Sequence, residues 1–99
     1  MWSEVTSMFV ETITAPEDEW HSWMARLRML TDPPDALVST IAWHSGDGTI
    51  TCVNVWDTPD AVGDFYMVRV RAVIEADGEP ANKPERRGEP AAVYVRQES

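Results

Sequence analysis

Thr49-Ile50-Thr51-Cys52-Val53-Asn54-Val55-Trp56-Asp57-Thr58-Pro59-Asp60 is the stretch that decides the fold. Its first eight residues are rich in β-branched and aromatic side chains, which favour a strand. Thr58 can then accept a hydrogen bond from a free amide in the first turn of a helix. Pro59 suits the first helical position, where its missing N–H leaves no orphan donor. Gly78 can take the left-handed backbone that closes such a helix. A strand running straight into a helix needs a sheet to lie on, and the flanking segments are read for one.

Upstream, Glu4–Ile13 alternates with apolar residues in both registers, Val5, Phe9 and Ile13 on one face and Met8 and Val10 on the other. This reads as a strand expecting cover on both sides. Thr14 and Glu17 have capping-box spacing, and Glu17, Asp18 and Glu19 suit the positive end of a helix dipole. Trp20, Trp23, Met24, Leu27 and Leu30 then form one apolar stripe, and Asp32-Pro33-Pro34 stops the helix. Ala36–His44 is a second extended run, turned back by Ser45-Gly46-Asp47-Gly48 onto the strand Thr49–Trp56.

Downstream, Pro59–Asp77 reads as a second helix with a stripe of Ala61, Phe65, Val68, Ala72 and Ala76. Val68-Arg69-Val70-Arg71 also alternates with period two, so the continuity of that helix stays open. Gly78–Pro90 reads as a long loop containing the pair Arg86-Arg87, and Ala91–Arg96 as a last short strand.

The order strand, helix, strand, strand, helix, strand predicts an α+β, ferredoxin-like βαββαβ domain. It is a four-stranded antiparallel sheet, first and third strands central, with two helices on one face. Ninety-nine residues form one domain with one core. Helices on one face leave the other face wet, and at roughly 25 cal/mol per Å² that would forfeit several kcal/mol. The sequence therefore predicts a homodimer in which two such faces meet.

Seventeen acidic against eight basic residues give a formal charge of −9, which disfavours nucleic acid and anionic membranes as partners. The N-terminal Met-Trp-Ser-Glu-Val lacks a basic region followed by an apolar run, and no stretch is apolar enough to span a bilayer. A cytoplasmic location is expected. The single cysteine, Cys52, is expected as a small buried hydrophobe. His21 and His44 lie on different elements with no ligand-spaced neighbour, so no metal site is expected.

The tract Val53-Asn54-Val55-Trp56-Asp57-Thr58-Pro59-Asp60-Ala61 resembles the dimeric α+β barrel superfamily, which includes the antibiotic-biosynthesis-type monooxygenases. The resemblance implies a pocket between sheet and helices in each subunit, put to unrelated uses across the superfamily. One branch degrades heme with an Asn on the first strand and a Trp and a His on the second helix. Here those helix positions fall near Phe65 and Glu75, and Glu4–Ile13 contains no Asn, so neither heme nor any other cofactor is expected.

Two function classes follow. One is a cofactor-less monooxygenase, or a related enzyme, on a small aromatic or polyketide-like substrate, with Asn54 or His44 assisting proton removal. The other is a non-catalytic ligand-binding or structural dimer. Asn54 either orients a ligand or makes a cross-strand or interface hydrogen bond. Trp43 and Trp56, with Trp20 or Trp23 from the first helix and Phe65 from the second, could wall an aromatic pocket or simply fill core and interface. Arg69 could pair with Glu11 or clamp an anionic substrate. An enzyme would need a connected cavity of roughly 300 Å³ or more with a polar group inside.

Overall fold

A computed structural model describes residues 1–79 and 84–96. The elements are β1 (Trp2–Pro16), α1 (Glu17–Arg26), β2 (Leu37–Gly46), β3 (Thr49–Trp56), α2 (Pro59–Phe65), α3 (Arg71–Asp77) and β4 (Glu85–Arg96). A π-helical turn, Tyr66–Val70, joins α2 to α3. The strands form one antiparallel sheet in the order β2-β3-β1-β4, with β1 and β3 central. Between Val5 and Met8 the β1–β4 pairing shifts register, which divides that ribbon into two paired stretches.

Strand alternation sorts the sheet into two faces. Phe9, Glu11, Ile13 and Ala15 of β1 lie level with Trp56, Asn54, Cys52 and Ile50 of β3, beneath the helices. Trp56, Val62, Phe65 and Met29 form the buried core, and Phe9, Met24 and Leu37 pack against it. The opposite face carries Val10, Thr12, Ile41, Trp43, Val53 and Val55. There Ile41 is 62% and Trp43 45% exposed.

β3 and the start of α2 form as their sequence dictates. Thr58 accepts a hydrogen bond from the Ala61 amide at 3.2 Å, with Pro59 in the first turn. The first helix departs from expectation at both ends. The Thr14–Glu17 capping box does not form, because β1 runs on to Pro16 and the Thr14 hydroxyl shares a hydrogen bond with Thr51 at 2.9 Å instead. Glu17 N–H donates to the Gly48 carbonyl of the β2–β3 turn at 2.8 Å. The helix then stops at Arg26, well before Pro33. Arg28 takes φ +56°, and the amides of Arg28 and Met29 donate back to the Ala25 and Met24 carbonyls, both at 3.1 Å. This is a Schellman closure with arginine where glycine is usual. It throws Leu30 into solvent, 69% exposed, and seats Met29, 3% exposed, in its place.

The backbone stays helical through the ambiguous Val68–Arg71 segment, but the π turn inserts an extra residue. That rotates the stripe. Tyr66 and Val70 pack toward the core, while Val68 of the expected stripe faces solvent, as does Met67. Gly78, at φ +84°, donates to the Ile74 carbonyl and closes α3. The long loop expected over Gly78–Pro90 is shorter: residues 80–83 lie outside the described residues, and Glu85–Pro90 are strand. β4 is an edge strand with one neighbour, so it tolerates Gly88 and Pro90.

Candidate functional site

A cavity of about 310 Å³ opens between the helix-covered face of the sheet and the helices. α1 supplies Trp20 and Trp23, the sheet supplies Ile13 and Cys52, and Phe65 and Tyr66 close the side toward the second helical segment. At one end the wall turns polar with Glu11 and Arg86.

Glu11 is 1% exposed and fully engaged. Its Oε1 accepts from Asn54 Nδ2 at 3.1 Å and from Trp56 Nε1 at 3.3 Å. Its Oε2 accepts from the Tyr66 hydroxyl at 2.9 Å and from Arg86 Nε. Thr40 donates to Asn54 Oδ1 at 2.7 Å and so fixes the orientation of the amide. The Arg86 guanidinium also lies 4.6 Å from the centre of the Tyr66 ring. Register explains the gathering. Glu11 pairs with Asn54 on one side and Gly88 on the other, Arg86 lies two pairs along opposite Ile13 on the same face, and the π turn brings Tyr66 down from above.

The electrostatics follow from this packing. Burial and then the Glu11 carboxylate hold the Tyr66 phenol well above its ordinary pKa. Burial also pushes the Cys52 thiol up, with Glu11 adding to it against the nearby Trp20 indole and the Ile13 backbone. Around Arg86, burial opposes the charge, but the hydrogen bond to Glu11 and the neighbouring Tyr66 oxygen outweigh it and raise the guanidinium. The indole nitrogens of Trp20 and Trp23 are buried in the α1 wall and complete no hydrogen bond of ordinary geometry.

The structure brings some of the expected residues together and separates others. Asn54, Phe65 and Trp23 line the cavity, and Trp56 is wholly buried behind its polar end. Asn54 spends its amide on Thr40 and Glu11, which is the cross-strand role. His44 does not join it. Its side chain is 70% exposed near the end of β2, where Nδ1 lies 3.8 Å from Glu17. Trp43 pairs with Thr51 on the open sheet face, so alternation puts it on the side away from Trp56. Arg69 neither pairs with Glu11 nor lines the cavity. It ties down the segment after α1, donating to the Leu27 and Asp32 carbonyls at 3.1 and 2.6 Å.

The residues that organise the site are therefore Glu11, Tyr66 and Arg86. An acid in phase with Phe9 and Ile13 was the available signal for Glu11. Arg86 was hidden in an expected loop, and Tyr66 by a helical phase the π turn changes. Among the described residues no three His, Cys, Asp or Glu side chains lie together as metal ligands, and no helix is long and apolar enough to cross a membrane.

No protein-family model matches the chain, and no curated protein matches it in sequence. Solved structures do. A protein of unknown function from Nitrosomonas europaea, NE2512, superposes with a TM-score of 0.62 at 9% identity, over 95% of this chain and 97% of that one. SO0527 from Shewanella oneidensis gives a TM-score of 0.64 at 10% identity, over 94% and 99% of the two chains. A candidate antibiotic biosynthesis monooxygenase from Chloroflexus aurantiacus J-10-fl gives 0.61 at 16% identity, over 94% and 98%. What this chain shares with the three is an α+β fold. The likeness is one of fold, spanning nearly the whole chain at identities too low to carry over an activity.

Proposed function

We propose that this chain is a small-molecule enzyme of the cofactor-less monooxygenase kind, acting on an uncharged aromatic or polyketide-like substrate in the cavity above Glu11. The observation that carries this reading is the pairing of a cavity of about 310 Å³ with a hydrogen-bonded polar end built from Glu11, Tyr66 and Arg86. An apolar chamber with a few convergent polar groups is the usual form of a small-ligand site.

In this reading the indole walls hold a flat ring, and the acidic group of the substrate meets Tyr66 and Arg86. A proton leaving the substrate passes to the Tyr66 oxygen as the Tyr66 proton moves along its 2.9 Å hydrogen bond to Glu11. Arg86 stabilises the resulting anion in a site of low dielectric. Dioxygen is the co-reactant. The carbanion adds it, protonation gives a C–OOH group, and loss of water leaves a carbonyl. Overall a CH₂ and O₂ become C=O and H₂O. Neither Asn54 nor His44 removes the proton, since the first is fixed in the network and the second stands outside the cavity.

The protein would work as a cytoplasmic homodimer, with the apolar face around Ile41 and Trp43 covered by a second copy. A non-catalytic ligand-binding dimer is the second reading. The saturation of Glu11 by four donors favours it, because a filled carboxylate also serves as a structural anchor. Anthrone, a planar aromatic ketone with an acidic methylene, separates the two. The enzymatic reading expects oxygen uptake equal to the anthraquinone formed, faster than in buffer and lost in Arg86→Ala. Binding of anthrone without turnover would leave the second reading standing.

A further inference from the structure

We infer that Tyr66 makes the polar end of the cavity an acceptor, so that it selects ligands offering an O–H or N–H donor over those offering only acceptors. The inference rests on the cavity being a ligand site, as proposed above.

It follows from counting protons. A tyrosine hydroxyl has one proton and two lone pairs. The proton of Tyr66 is committed to Glu11 Oε2 at 2.9 Å, a bond to a carboxylate and so about twice as strong as one between neutral groups. Turning that proton toward a ligand would take a donor away from a carboxylate that is 1% exposed. What Tyr66 presents to the cavity it lines is therefore lone pairs.

Of the other polar groups lining the cavity, the Trp20 and Trp23 indole N–H groups are buried donors that complete no hydrogen bond of ordinary geometry. Glu19 and Glu79 add carboxylates, and Asn54 accepts from Thr40 and gives one N–H to Glu11. Cys52 offers a weak thiol at most. Arg86 spends Nε on Glu11, which leaves its terminal nitrogens as donors beside Tyr66. The polar end thus offers an acceptor and a donor side by side. The class of ligand that answers both is a hydroxyl or N–H on an aromatic body, ideally with a carbonyl close by. Ethers answer the Arg86 and indole donors but leave the Tyr66 oxygen without a donor.

The test uses 1-naphthol and 1-methoxynaphthalene, which share the ring and differ in the donor. Each is titrated into uniformly ¹⁵N-labelled protein, with the tryptophan indole resonances reporting occupancy of the α1 wall. The wild-type protein should bind 1-naphthol about three- to tenfold more tightly than its methyl ether, the size of one net hydrogen bond. In Tyr66→Phe the ratio should fall to about one. A preference arising from the extra methyl alone would persist in that variant and would overturn the inference. Equal or tighter binding of the ether by the wild type overturns it as well, without needing the variant to fold, and leaves the cavity as a ligand site. If neither probe moves the indole resonances, the cavity reading fails and this inference with it.

Discussion

Glu11 and Asn54 face one another across the β1–β3 ladder, and the Asn54 side-chain amide donates to Glu11 Oε1 at 3.1 Å. That contact ties the two central strands together beneath the cavity, and Trp56, Tyr66 and Arg86 converge on the same carboxylate. A buried carboxylate is tolerable because every part of it is hydrogen-bonded.

Removing the hub should therefore cost more than removing a spoke. Glu11→Ala strands three buried or half-buried donors and a guanidinium, and should destabilise the fold by about 3 kcal/mol or more. Arg86→Ala leaves Glu11 with three donors and removes a side chain that is itself 37% exposed, so about 1–2 kcal/mol is expected. Urea unfolding of the two variants gives the order directly. An Arg86 variant as unstable as the Glu11 variant would mean that the ion pair, not the carboxylate, holds the site.

The shifts of Tyr66 and Cys52 make stability fall on the alkaline side. Both groups hold their protons more tightly folded than unfolded. Below the ordinary thiol and phenol values, about 8.5 and about 10, both states are protonated and these groups contribute no slope. Above them the unfolded chain releases protons that the folded chain keeps, so ΔG of unfolding declines as pH rises. Melting temperature should hold level from pH 7 to about 8.5 and then drop, less steeply in Tyr66→Phe. In Tyr94→Phe, which isolates Tyr66, the 295 nm absorbance should rise only well above pH 10 or together with unfolding.

Covering the open sheet face by a second copy predicts a dimer that breaks when that face is charged. Ile41→Glu and Trp43→Glu lie on exposed positions, so neither should alter the far-ultraviolet circular dichroism of the chain. Each should weaken self-association by tenfold or more, read by sedimentation equilibrium. A wild-type chain that sediments as a monomer at micromolar concentration would end the dimer proposal.

Where the sequence was legible, the signals were local. β3 spans Thr49–Trp56 as its β-branched run dictates, and Thr58 and Pro59 start the next helix through a cap that needs no tertiary partner. Order and strand alternation then carried the topology. What failed was decided at a distance. Thr14 gave up its capping role to bond Thr51 on another strand, and Arg28 ended α1 in a backbone state arginine rarely signals. β4 extends back to Glu85 because β1 offers it a ladder, although Gly88 and Pro90 argue against a strand locally. The site suffered most. Asn54 was legible as a buried amide in a strand, whereas the meeting of Glu11, Tyr66 and Arg86 depends on that same unexpected β4 and on one added residue in a helical turn. Arg69 was misplaced by the same change of phase.

Gly88 shows how closely β4 is fitted to β1. A Cβ built there would stand 2.4 Å from Phe9 Cζ, so the ring occupies the space a side chain would need. Phe9 pairs with Pro90, two pairs along from Gly88 and Glu11, and its ring lies over the glycine in a diagonal contact. Gly88→Ala must push that ring aside, at about 1–2 kcal/mol. The ring is the obstruction, not the backbone, so the loss should shrink when the ring is removed. In a Phe9→Leu background the alanine should cost little, with a coupling of about 1 kcal/mol in the double-mutant cycle by urea unfolding. Strict additivity would mean that alanine disturbs the β1–β4 ladder itself. In that case Arg86, two residues along β4, should lose its register with Glu11, and the Tyr66→Phe and Gly88→Ala effects on ligand binding would no longer be separable.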